Sequence, residues 1–94
     1  MFKQIRQLLT RFGYYGGNGE YYVNREEVHI PPEFRKHPIS SKKWHRKLNY
    51  WAENGKFESK IIVRRSDWML LDGYSSYRIA EVFNIKKIPV YFVD

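Results

Sequence analysis

Residues 68–83, WMLLDGYSSYRIAEVF, carry the chain from an apolar run into a helical pattern through one Asp-Gly pair. Trp68, Met69, Leu70 and Leu71 read as a strand, and Asp72-Gly73 as a turn. Ile79, Ala80 and Phe83 then share one face of a helix that stops at Asn84. A helix start presents unpaired N–H groups and the positive end of the macrodipole, so it can receive an anion such as a phosphate. The candidate anion-binding residues are therefore Asp72, Gly73, Tyr74, Ser75 and Ser76. The alternative is a structural strand-to-helix turn that binds nothing.

Outward from this stretch, Ile61-Ile62-Val63 is a β-branched run too short for a helix, and Ser66-Asp67 joins it to 68–71 as an antiparallel hairpin. Downstream, Ile88-Pro89-Val90-Tyr91-Phe92-Val93 is a strand whose proline belongs at a sheet edge or a strand start. Upstream, Trp44, Leu48, Trp51 and Ala52 form one apolar helix face, opened by a serine cap at Ser40-Ser41 and closed by Asn54-Gly55. Glu27 to Ile30 reads as a short strand ending at Pro31-Pro32, followed by a loop or a single helical turn. Tyr14-Tyr15 and Tyr21-Tyr22 flank a Gly-Gly-Asn-Gly centre, the pattern of a hairpin. No Lys-Ser/Thr follows Gly19, so this is not a P-loop. Phe2, Ile5, Leu8, Leu9 and Phe12 give a short amphipathic helix ending at Gly13.

The expected architecture is α/β in the α+β sense: a single small domain with a mixed sheet of about four to five strands and two main helices. Residues 1–26 form an extension, a helix and a Gly-rich hairpin that is not independent, ahead of a domain over 27–94.

Composition narrows the function. The 94 residues hold 17 Lys+Arg against 10 Asp+Glu, a formal charge of +7, which attracts polyanions. The absence of cysteine excludes a disulfide framework and thiolate chemistry. No signal-peptide pattern and no membrane-length apolar run is present, so the cytoplasm is the expected compartment and no membrane partner is expected. Arg35, Lys36, Lys42, Lys43, Arg46 and Lys47 gather around the Trp44 helix as a basic surface for nucleic-acid phosphates, or as a merely solvated helix face. Trp44 and Trp51 are expected in the core, whereas Tyr14, Tyr15, Tyr21 and Tyr22 are candidates for exposed stacking or partner contact.

Evidence for catalysis is thin. His29, His37 and His45 have no metal-binding spacing, Asp67 and Asp72 stand at opposite ends of one strand, and no metal is expected. Asp72 is the weak catalytic candidate, alone or with Glu81, and its simpler role is in the turn.

Taken in order, Gly55, Phe57, Ile61 and Val63, then Leu70-Leu71-Asp72-Gly73, Tyr77 and Ala80, then Ile88-Pro89-Val90 resemble the ParB/sulfiredoxin superfamily, specifically small ParB-like N-terminal domains. The resemblance spans residues 27–94. It implies a nucleotide phosphate, with a nucleoside triphosphate as the implied cofactor, held at the helix start after Asp72-Gly73. The family's usual Gly-x-x-Arg has Ser76 in the arginine position, and Arg78 lies about 200° further round the helix. Without cysteine, sulfiredoxin chemistry is excluded. The leading expectation is a noncatalytic module that binds nucleic acid or a nucleotide. The alternatives are a protein-interaction module of a mobile element or phage, contacting its partner through the aromatic N-terminal part, and a phosphate-ester enzyme (nuclease, NTPase or kinase-like).

Overall fold

The computed structural model describes residues 14–94, so the helix expected over residues 2–12 lies outside the described part. The order of elements is β1 (Tyr14–Gly17), β2 (Glu20–Asn24), a 3-10 turn (Arg25–Glu27), α1 (Pro32–Lys36), α2 (Ser41–Asn54), β3 (Ile61–Arg64), β4 (Met69–Asp72), α3 (Tyr74–Val82) and β5 (Lys87–Val93). The five strands form one mixed sheet in the order β1-β2-β5-β3-β4. β1–β2, β2–β5 and β3–β4 pair antiparallel, whereas β3 and β5 run parallel, joined through β4 and α3.

Alternation along the strands sorts the side chains. Val23, Ile61, Val63, Leu70, Ile88 and Val90 are buried, and Tyr77 and Ala80 of α3 pack into the same cluster. α2 is more peripheral. Ser40 caps it by accepting from the Lys43 amide at 3.3 Å, and Gly55 closes it at φ 68°. Trp44, Leu48 and Trp51 on its apolar face are half-buried, not core, and Ala52 is exposed. Trp51 packs its ring 5.1 Å from that of Phe83.

Two expectations change. Glu27 to Ile30 is no strand: Arg25–Glu27 coil into a 3-10 turn, and only His29 bridges to β4. The bridge is held by the His29 amide on the Trp68 carbonyl and by the Leu70 amide on the His29 carbonyl. Nor does Pro89 sit at an edge or a strand start, because β5 is flanked by β2 and β3. The reason lies in hydrogen-bond parity. The Arg25 amide donates to the Lys86 carbonyl, and alternation then makes Val23–Ile88 a bonded pair and Tyr22–Pro89 a non-bonded one. The nitrogen of Pro89 thus points towards β3, whose pairing with β5 begins one residue later, at Ile61–Val90. The missing donor falls just outside the ladder.

Candidate functional site

The turn at 72–76 is built by close approach. Gly73 has φ 86°, and a Cβ there would fall on the Lys60 carbonyl oxygen and 2.7 Å from Ile61 Cα. Only glycine permits both the left-handed conformation and this contact between the start of α3 and the entry to β3. Gly73 is also the N-cap of α3, so no side chain caps the helix. The Asp72 carboxylate instead accepts from the Gly73 amide at 2.8 Å.

This helix start opens into a cleft of about 260 Å³. Asp72, Gly73, Tyr74 and Ser75 line one side, and His37, Ser40 and Lys43 approach from the loop before α2 and its first turn. A cavity of about 360 Å³ adjoins it, sharing the wall of Pro38, Ile39 and Tyr74 and containing Trp44, Arg35 and Arg78. Tyr74 is fixed between the two by stacking on Phe34, with centroids 5.3 Å apart, and by a 3.3 Å bond from Arg35 Nη1 to its hydroxyl.

The sequence candidates separate into two groups. Lys43 joins the turn, and Lys36 and Lys42 are exposed with no ion pair among the described residues. The others are engaged within the fold. Arg35 forms a two-pronged pair with Glu81 at 2.8 and 2.9 Å, and Arg78 reaches the same carboxylate at 2.9 Å. The hydrogen bonds from Arg35 hold the Glu81 carboxyl below the usual glutamate range, and the same pairing raises the Arg35 guanidinium. Glu81 is therefore committed to two guanidinium groups. Arg46 lies 3.8 Å from Glu58.

Two candidates are interior. Lys47 is buried, its ammonium bonded to Glu58 at 3.0 Å and to the Ser59 hydroxyl, so it does not belong to an exposed basic surface. Ser76 is buried too, and its hydroxyl donates to the Ser59 carbonyl at 2.8 Å. Ser59 therefore binds α2 and α3 to the entry of β3. Tyr21, expected to be exposed, packs edge-on against Phe92 at 5.7 Å beside the core. Sequence reasoning did not single out Ser59, and it placed His37 only within the basic cluster around the Trp44 helix, not at the turn. Nothing in their local pattern marks them, because long-range folding brings them to the cleft.

No helix among the described residues is long and apolar enough to cross a membrane. No family model matches the chain, and no curated protein does. Solved structures do share its fold. A pNOB8-like ParB N-domain in a C2221 crystal form matches with a TM-score of 0.65 at 21% identity, over 80% of this chain and 29% of that one. A second structure of the pNOB8-like ParB N-domain matches with a TM-score of 0.58 at 27% identity, over 80% and 28%. The C-terminally truncated chromosome-partitioning protein ParB from Caulobacter crescentus, complexed with CTP-γ-S, matches with a TM-score of 0.62 at 17% identity, over 82% and 45%. The chain thus spans less than half the length of each of these structures. With the mixed sheet and the Asp-Gly entry to α3 in place, the chain has the fold of a ParB N-terminal domain.

Proposed function

We propose that this domain is a binding module for a nucleoside triphosphate, with the phosphates at the start of α3 and the base and sugar towards Trp44. One observation carries the reading: an uncapped helix start and the Lys43 side chain, from elements distant in sequence, line the same cleft. The helix dipole and an ammonium both favour an anion there. Asp72 opposes it, but its carboxylate is partly satisfied by the Gly73 amide. The adjoining cavity offers the Trp44 indole as a stacking wall. The Caulobacter ParB of the same fold is complexed with a nucleotide analogue, CTP-γ-S, which supports the ligand class. The exposed Lys36 and Lys42 extend the positive surface along the loop and α2, and suit a second, salt-sensitive contact with nucleic-acid phosphates.

Calorimetric titration of the protein with CTP, ATP, GTP and UTP in the presence of Mg²⁺ tests the proposal. At least one should bind, and Lys43→Glu should weaken it by at least tenfold while the far-UV spectrum stays unchanged. Failure of all four to bind, or binding that survives Lys43→Glu, would overturn it. Steady turnover of the bound nucleotide, lost in Asp72→Ala, would replace the binding module with an enzyme.

A further inference from the structure

A larger groove, about 410 Å³, lies elsewhere on the domain and shares only Ser59 with the cleft at α3. Along β5 the core takes Ile88 and Val90, which leaves Lys87, Pro89 and Tyr91 for the opposite sheet face. Along β2 the same alternation buries Val23 and turns Tyr22 into the groove. The other wall is the end of α2, with Tyr50 and Trp51, and the segment 55–60 that follows it. The volume falls within the range of nucleotide-sized ligand sites, about 300–1,000 Å³.

The rings are held in place by bare backbone and by cations. A Cβ on Gly16 would meet the Tyr22 ring at 2.6 Å, so glycine there lets the ring lie across β1. Tyr91 lies against Gly19, and the Lys60 ammonium sits 4.9 Å from its ring centroid. The charged lining is Lys56, Lys60 and Lys87 against Glu20 and Glu58, and Glu58 already pairs with Lys47 at 3.0 Å. Three ammonium groups therefore interleave with aromatic rings and outweigh the remaining carboxylate.

We propose that this groove binds single-stranded nucleic acid. Bases stack on Tyr91 and Tyr50, and Lys56, Lys60 and Lys87 neutralise the adjoining phosphates. The chemistry selects this occupant over two others. A duplex keeps its base faces stacked on one another, so it has none to offer the rings, whereas a single strand does. A protein partner would have to bury several lysines, the residue type depleted from protein interfaces. A base arriving on Tyr91 displaces the Lys60 ammonium from the ring face and frees it for the phosphate of the same nucleotide.

Fluorescence anisotropy of labelled (dT)12, (rU)12 and a 12-base-pair duplex, across a salt series, tests this. The single strands should bind more tightly than the duplex, and comparison of the two separates DNA from RNA preference. Tyr50→Ala and Tyr91→Leu should each weaken (dT)12 binding by about 5- to 160-fold, the range for one lost stacking contact. Lys60→Ala with Lys87→Ala should flatten the slope of log K against log salt by about 1.4, roughly 0.7 for each single-strand phosphate contact. Far-UV spectra check each variant, and if Tyr91→Leu does not fold, Tyr50→Ala on the helix surface decides the stacking arm. The proposal is overturned if the duplex binds as tightly as the single strand. It is equally overturned if Tyr50→Ala binds (dT)12 like the parent.

Discussion

Gly73→Ala should destabilise the domain far more than Gly55→Ala, although both glycines hold left-handed backbones, with φ 86° and 68°. At Gly55, the end of α2, an added Cβ meets nothing within 4 Å. Its cost is the left-handed conformation alone, roughly 1–2 kcal/mol. At Gly73 the same cost applies, and the Cβ also falls on the Lys60 carbonyl oxygen and 2.7 Å from Ile61 Cα. These are backbone atoms, so no side chain can rotate away. Ile61 is buried and paired with Val90 in the middle of the sheet, so relief requires β3 or α3 to shift. Overpacking of this kind costs about 1–3 kcal/mol more. Domains of this size lose roughly 4–8 °C of Tm per kcal/mol, so Gly73→Ala should melt about 4–24 °C below Gly55→Ala. Thermal and urea unfolding of the parent and both variants, followed by circular dichroism, measures the difference. Equal losses in the two variants would refute the reasoning, because they would mean that the approach of α3 to β3 is not tight.

Ser40→Ala removes the cap on the Lys43 amide and should cost about 1 kcal/mol in urea unfolding, with Ser40→Asp recovering most of it. Glu81→Gln should be less stable than the parent at neutral pH by about 1 kcal/mol, a modest figure because the Arg35 side chain is nearly half exposed to water. Its pH dependence follows from the lowered Glu81 carboxyl. The contribution is complete above the unfolded value of about 4.3 and disappears as pH falls through the lower folded value, so the two urea midpoints should converge in acid.

Much of the fold was legible because it rests on local rules. The β-branched run at 61–63, the glycines at 55 and 73 and the serine before α2 each determine their element from nearby residues. What escaped depends on distant partners. Nothing near Pro89 shows that its nitrogen will face the empty start of a parallel ladder. A lysine on a helix reads as solvated, yet Lys47 is buried because Gly55 turns the chain back and returns Glu58 and Ser59 beneath it. The turn at 72–76 was visible as a candidate anion site, whereas the lysine that lines its cleft was hidden among six basic residues of similar appearance. Tyr21 was misjudged because adjacent tyrosines on a strand take opposite faces, and sequence does not say which face is covered.

Ser76 stands where the resemblance to ParB-like domains implies an arginine, and its surroundings give that difference a consistent physical meaning. Ser76 is buried against the Ser59 carbonyl, at a point where α3, β3 and the segment after α2 converge. A guanidinium at that position would lose its hydration unless a bound phosphate compensated it. With a small hydroxyl there, the interior is satisfied whether or not an anion is present. The positive charge at the cleft then comes from Lys43, whose position is set by the Ser40 cap one helical turn earlier. In the proposed reading, anion affinity is therefore coupled to the N-terminus of α2 as well as to the start of α3. In that reading the stability of the cap and the strength of the proposed site meet in the 37–43 segment.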